Sequence, residues 1–176
     1  MKKVTMVSLG LLLATAQVNA AEASDGTISF TGNIDSQTCT VSINGGSSSA
    51  TVTLPKVSSS VLQNAGQTAG STRFTIELND CSTETGGVYA YFEQGANVNA
   101  NGRLNNTGTA TNVELQLLDG ANNVLNAGST DQTTSPATAT LAAGTATLNY
   151  AAQYYATAKA SSGTVASSVT YSINYL

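Results

Sequence analysis

The sequence predicts an all-β sandwich, on three observations. Apolar residues recur at every second position in one segment after another. No stretch sustains a helical period between caps, and clusters of Gly, Asn, Asp and Ser divide the alternating runs. Period-two alternation marks strands with one face toward a core, and several short strands parted by turns pack as two sheets. The Thr, Val and Tyr content favours sheet, and the many Gly and Asn favour tight turns. There is no internal repeat and no domain linker.

Gly26 to Ile34 is the first alternating segment, with Ile28, Phe30, Gly32 and Ile34 on its even face and polar residues from Thr27 to Asn33 on its odd one. Thr40 to Ile43 continues as a strand and stops at the turn signal Asn44-Gly45-Gly46. Val52 and Leu54 alternate next. Val61 to Ala65 makes a helical turn at most, and Phe74, Ile76 and Leu78 form a further strand before Cys81. Val88 to Phe92 is rich in β-formers. Asn97 to Asn112 is a Gly/Asn/Thr-rich stretch with Leu104 as its only large apolar anchor. Val113, Leu115 and Leu117 lead to a turn at Asp119-Gly120, from which Val124-Leu125 returns. Leu148, Tyr150, Ala152 and Tyr154 alternate again, and Val169 to Leu176 is the last strand.

The chain opens with Lys2-Lys3, an apolar run from Val4 to Ala16 and then Val18-Asn19-Ala20. A basic start, a short apolar core and small residues at the cut are the parts of a secretory signal peptide. The run falls short of the roughly 20 residues that span a bilayer. Cleavage is expected after Ala20, with Ala21 as the fallback. The expected mature chain of 176 less 20, or 156 residues, suits one soluble domain. Losing Lys2 and Lys3 takes the net charge from −4 to −6, which argues against nucleic-acid backbones as partners and chiefly serves solubility. Cys39 and Cys81, an even pair in an exported protein, read as a disulfide. Two buried free thiols, or a two-cysteine metal site, are the alternatives.

There is no histidine, which excludes His-dependent triads and His-ligated metal sites. The ten carboxylates are scattered without an evident acid–base couple, and neither a Gly-rich phosphate loop nor a CxxC motif occurs. No catalytic residue, metal ligand or cofactor site is therefore nominated, and a non-enzymatic role is expected. Asn105-Asn106-Thr107 fits a glycosylation sequon, but so short a match is common by chance.

The two ends carry most information. The first alternating segment begins six residues after the expected cut and precedes Cys39, so it reads as an extension whose apolar face is buried elsewhere; an ordinary first strand is the alternative. In the last segment Gly163, Val165, Val169, Tyr171, Ile173 and Tyr175 share one face. Phe30-Thr31-Gly32 ends seven residues before Cys39, Gly163 is fourteenth from the C-terminus and Tyr175 is penultimate. With Tyr150 to Ala156, Gly102-Arg103-Leu104 and Val113 to Asp119, these features resemble the pilins of chaperone–usher fimbriae, most closely the type 1 fimbrial shaft subunit. The likeness covers essentially the whole mature chain.

That resemblance, rather than the residue pattern, implies the mode of assembly. It implies an immunoglobulin-like sandwich lacking its last strand, completed by donor-strand exchange. Residues 1–20 would be the signal peptide, 21–36 the donor extension and 37–176 the pilin domain. The donor face would be Ile28, Phe30, Gly32 and Ile34. The acceptor and chaperone-binding strand would carry Gly163, Val165, Val169, Tyr171, Ile173, Tyr175 and Leu176, the terminal carboxylate being held by basic chaperone residues. Implied partners are identical or homologous pilins, a periplasmic chaperone and an outer-membrane usher, on a route through the periplasm of a Gram-negative bacterium to a surface fimbria. Burying Ile28, Phe30 and Ile34 is worth roughly 1.5–3 kcal/mol each before entropy costs, and Gly32 would mark a narrow part of the groove. The alternative to a shaft subunit is a minor or tip-proximal pilin acting as a receptor-binding module.

Overall fold

The computed structural model describes residues 29–31 and 39–176. The expected signal peptide, and Ile28, Gly32 and Ile34 of the expected donor face, lie outside the described residues. The chain divides into two units, residues 1–34 and 35–176.

Among the described residues nine strands follow in order: β1 Thr40–Ile43, β2 Thr68–Asn79, β3 Thr85–Phe92, β4 Leu104–Asn105, β5 Val113–Asp119, β6 Val124–Leu125, β7 Ala139–Ala142, β8 Ala146–Ala156 and β9 Tyr171–Tyr175. They make two antiparallel sheets. One runs β1-β2-β8-β5-β4 with β6 on β5, and the other runs β7-β3-β9. The alternating residues face each other across the layers. Phe74, Ile76 and Leu78 of β2 and Leu148, Tyr150 and Ala152 of β8 are buried with Val88, Ala90 and Phe92 of β3. Phe92 meets Tyr150 edge-on, with ring centroids 5.0 Å apart, and the Ala90 N–H donates to the Tyr150 hydroxyl at 3.1 Å. A buried tyrosine is kept in the core by finding such a partner for its polar end.

The turns form where the sequence places them. Asn44 and Gly45 take φ of 51° and 71°, and the Gly46 N–H bonds back to the Ile43 carbonyl at 2.9 Å, as a tight turn of positive-φ residues requires. At Asp119 the carboxylate accepts the N–H groups of Ala121 and Asn123, both at 2.8 Å, closing the loop between β5 and β6. Cys39, just before β1, is bonded to Cys81.

Four details differ from the expectations. The helical turn lies at Ser59–Val61 rather than Val61 to Ala65, because the Ser58 side chain caps it by accepting the Ser60 N–H. Val98 is buried beside Leu104, so Leu104 is not the only apolar anchor of its stretch. Strand β7 and the short helix α1, Asp131–Thr134, have no counterpart in the sequence reading. Each is four residues long, too short for a period, and β7 buries a single large side chain, Leu141. Finally, the last strand begins at Tyr171 and not Val169, since β3 ends at Phe92, opposite Tyr171, and only the Glu93 N–H reaches further, to the Thr170 carbonyl.

Candidate functional site

Strands β1 and β9 are edge strands of different sheets, and a groove of about 760 Å³ opens along the seam between them. One wall is Val41, Ile43, Val52 and Leu54; the other is 167–171 and Ile173. Phe74, Ile76, Leu117 and Ala152 form its floor. Protein interiors hold few voids larger than a water molecule, and an engineered void of roughly 150 Å³ already admits benzene. The groove thus has room for several large side chains. Among the described residues that line it, none is charged.

The backbone along one wall is equally open. Glu93 N–H bonds to the Thr170 carbonyl at 2.9 Å, and Leu176 N–H to the Gly87 carbonyl at 2.8 Å. With the register Tyr91↔Ser172 and Tyr89↔Asn174, the even residues of this strand point their backbone groups at β3. Alternation of ladder bonds then turns those of Tyr171, Ile173 and Tyr175 outward. Upstream the same parity holds. Thr164 and Ala166 bond to residues 106–110, while the backbones of Val165, Ser167 and Val169 make no hydrogen bond among the described residues. A line of donors and acceptors without a partner among the described residues therefore runs from Val165 to Tyr175, which is what an added strand pairs with.

On the other side of β3, the stretch that β7 does not cover is closed by side chains. Past the end of β7, the N–H of Ala90 is taken by Tyr150. Both backbone groups of Phe92 are bound by buried Gln132, at 3.0 Å each. Side chains thus stand in for a strand on one side of β3, and nothing among the described residues does so along β9.

Two tyrosines cross the seam. Tyr171 donates to the Ser48 carbonyl at 2.8 Å, and the Tyr175 hydroxyl lies 3.1 Å from Cys39 Sγ. Burial raises the pKa of both phenols above the ordinary tyrosine value. Ser167 Oγ, on the groove wall, is buried and has no hydrogen-bond partner among the described residues.

The expected acceptor residues are therefore brought together in part. Val169, Tyr171 and Ile173 line the groove, Tyr175 closes over the disulfide, and Val165 is half-buried and lines a separate cavity with Gly163. Gly163 instead lies against the 108–110 loop, where a Cβ would come within 2.5 Å of the Ala110 nitrogen. The Leu176 side chain is 71% exposed. Of the expected donor face only Phe30 is described, and it is 89% exposed. Sequence reasoning missed the roles of Val41, Ile43, Val52 and Leu54 as the second wall. Their alternation was visible, but not that it faces a vacant strand position.

The described residues thus form an antiparallel sandwich with an uncharged groove between the edge strands β1 and β9. Residues 54–176 match the family model described as FimA, type-1 fimbrial protein, A. The chain is 48% identical over 173 residues to the major fimbrial subunit SMF-1 of Stenotrophomonas maltophilia, covering 93% of this chain and 99% of that one. It is 41% identical over 184 residues to the F17 fimbrial protein of Escherichia coli, covering 99% of each. The fold is similar to that of the P pilus rod subunit PapA, with a TM-score of 0.58 at 20% identity, over 78% of this chain and 99% of that one. The chain belongs to the type-1 fimbrial protein A family.

Proposed function

We propose that this chain is a structural subunit of a fimbrial shaft, joined to its neighbours when the extension of one copy enters the groove of the next. The observation that carries the reading is the open edge from Val165 to Tyr175 beside an uncharged groove. An extended segment laid there would gain main-chain bonds worth roughly 0.5–1.5 kcal/mol each and place alternate side chains in the groove. The segment around Phe30 fits the role by its own alternation, and Phe30 is an exposed large apolar side chain. The name of the SMF-1 relative, a major fimbrial subunit, supports a shaft position over a tip or minor one. In this reading residues 1–20 direct export and are removed, and residues 21–36 form the donor extension. A periplasmic chaperone fills the groove until an outer-membrane usher exchanges it for the next subunit.

Phe30→Asp places a charge in an apolar groove and Gly32→Leu overfills its narrow part, so each should abolish fibres on exporting cells. Electron microscopy with an antibody to the chain decides the matter: normal-length fibres from either variant would defeat the reading.

A further inference from the structure

The open edge extends upstream of β9, and a single side chain accounts for much of that. Asn106 Oδ1 accepts the N–H of Ala166 at 2.9 Å and that of Gly108 at 2.8 Å. Its Nδ2 donates to the carbonyls of Ala110 at 2.7 Å and Thr164 at 3.4 Å. Around this hub the backbone pairs directly, Ala110 N–H to Thr164 carbonyl at 3.0 Å and Thr107 N–H to Ala166 carbonyl at 2.8 Å. Thr109 Oγ1 accepts the Thr164 N–H at 2.9 Å. The approach is close enough to require glycine on both sides: a Cβ on Gly108 would overlap the Thr164 carbonyl, and one on Gly163 would meet Ala110.

We infer that Asn106 is a positioning residue for strand acceptance: it binds Thr164 and Ala166 from behind, so that the edge at Val165 and Ser167 is held open where β3 no longer supports it. Strand β3 ends at Phe92, and its last bond to this wall is made by Glu93 to Thr170. Upstream of Thr170 the loop 106–111 takes its place. Between Thr164 and Thr170 the bonds from the loop go to the even residues Thr164 and Ala166, which leaves the odd ones with the same outward parity as Tyr171 and Ile173. The acceptor edge is thereby lengthened by Val165, Ser167 and Val169. The inference rests on the proposed strand-accepting role of the groove.

The test uses the full chain with a copy of Asp25 to Ser36 appended after Leu176 through a flexible linker, and two further versions whose appended copy is shortened by four residues at one end or the other. In an otherwise unaltered chain, one shortening removes the part of the strand that reaches Val165 and Ser167. Asn106→Ala should make the full-length fusion unfold about tenfold faster, the worth of one or two main-chain bonds. It should make that one shortening cost nothing further, while the other shortening costs the same as before. Equal acceleration in all three fusions would show a merely structural role and overturn the inference, as would no acceleration. Thr109→Ala, at an exposed position, should give the same pattern at smaller amplitude and serves if Asn106→Ala does not fold. If the appended strand fails to stabilise even the unaltered chain, the strand-accepting reading itself falls. If it stabilises that chain but shows no coupling to Asn106, only the positioning role falls.

Discussion

The hydroxyl of Tyr171, on the last strand, donates a 2.8 Å hydrogen bond to the carbonyl of Ser48 on the opposite lip of the groove. The bond crosses the position that a further strand would occupy between the two sheets. An incoming strand has to break it or pass beneath it, so it bears on the rate of entry more than on the final joint. Tyr171→Phe keeps the ring in place and deletes the bond, which is worth about 1 kcal/mol. Uptake of a peptide copy of Asp25 to Ser36 by the refolded chain should quicken several-fold, with the dissociation rate little changed. Stopped-flow fluorescence with a labelled peptide reads both rates, and slower uptake would contradict the assignment.

The same tyrosines make alkaline stability informative. Burial raises the pKa of Tyr150, Tyr171 and Tyr175, with the Tyr150 shift partly offset by its bond from Ala90. A phenol whose folded pKa lies above its unfolded value binds its proton more tightly when folded. Its contribution is complete below the ordinary tyrosine value of about 10 and is lost as pH rises through the folded pKa. Denaturant midpoints should therefore stay level with respect to these groups up to about pH 9 and fall above pH 10. Tyr171→Phe with Tyr175→Phe should flatten part of that fall. An identical alkaline slope in the double variant would show that the groove tyrosines are not its source.

The disulfide closes a loop with its cysteines 42 residues apart. In the chain-entropy model this restricts the unfolded state by about 4 kcal/mol. Cys39→Ser with Cys81→Ser should lower the urea midpoint accordingly, and it also removes the sulfur beside the Tyr175 hydroxyl. An unchanged midpoint in the oxidised and double-serine chains would refute the claim.

Gln132→Leu should cost about 1–3 kcal/mol, because it leaves the Phe92 N–H buried without a partner, while the Phe92 carbonyl keeps only its bond from the Gly128 N–H. Besides losing stability, the variant exposes a stretch of β3 edge, and it should associate at high concentration where the parent does not. Light scattering matched to denaturation curves separates the two effects. Full stability in the variant would mean that the Gln132 bonds are not needed.

What was legible in the sequence follows the physics of each element. Strands β2, β5 and β8 carry three or more alternating large side chains and could be read directly. The parity of Val169, Tyr171, Ile173 and Tyr175 disclosed one groove wall for the same reason. The loop 106–111 could not be read, because its polar residues act through bonds to a backbone 50 to 60 residues away, and such bonds leave no period. Gln132 stayed hidden likewise: a lone polar residue in a four-residue helix looks exposed until Phe92 is known to lie beside it. The second wall was visible as alternation at Val41, Ile43, Val52 and Leu54, but which face a strand buries depends on the sheet it joins.

The central claim is that one copy's extension fills another copy's groove, and a mixture of two altered chains tests it most directly. Phe30→Asp gives a chain with a spoiled donor and an open groove. The fusion carrying Asp25 to Ser36 after Leu176 gives a chain with a filled groove and an intact donor. Each should remain monomeric alone. Mixed after refolding, they should form a one-to-one dimer and no longer species, as read by analytical ultracentrifugation. Failure to form that dimer, with both chains folded, would contradict the account, as would polymers of the fusion alone.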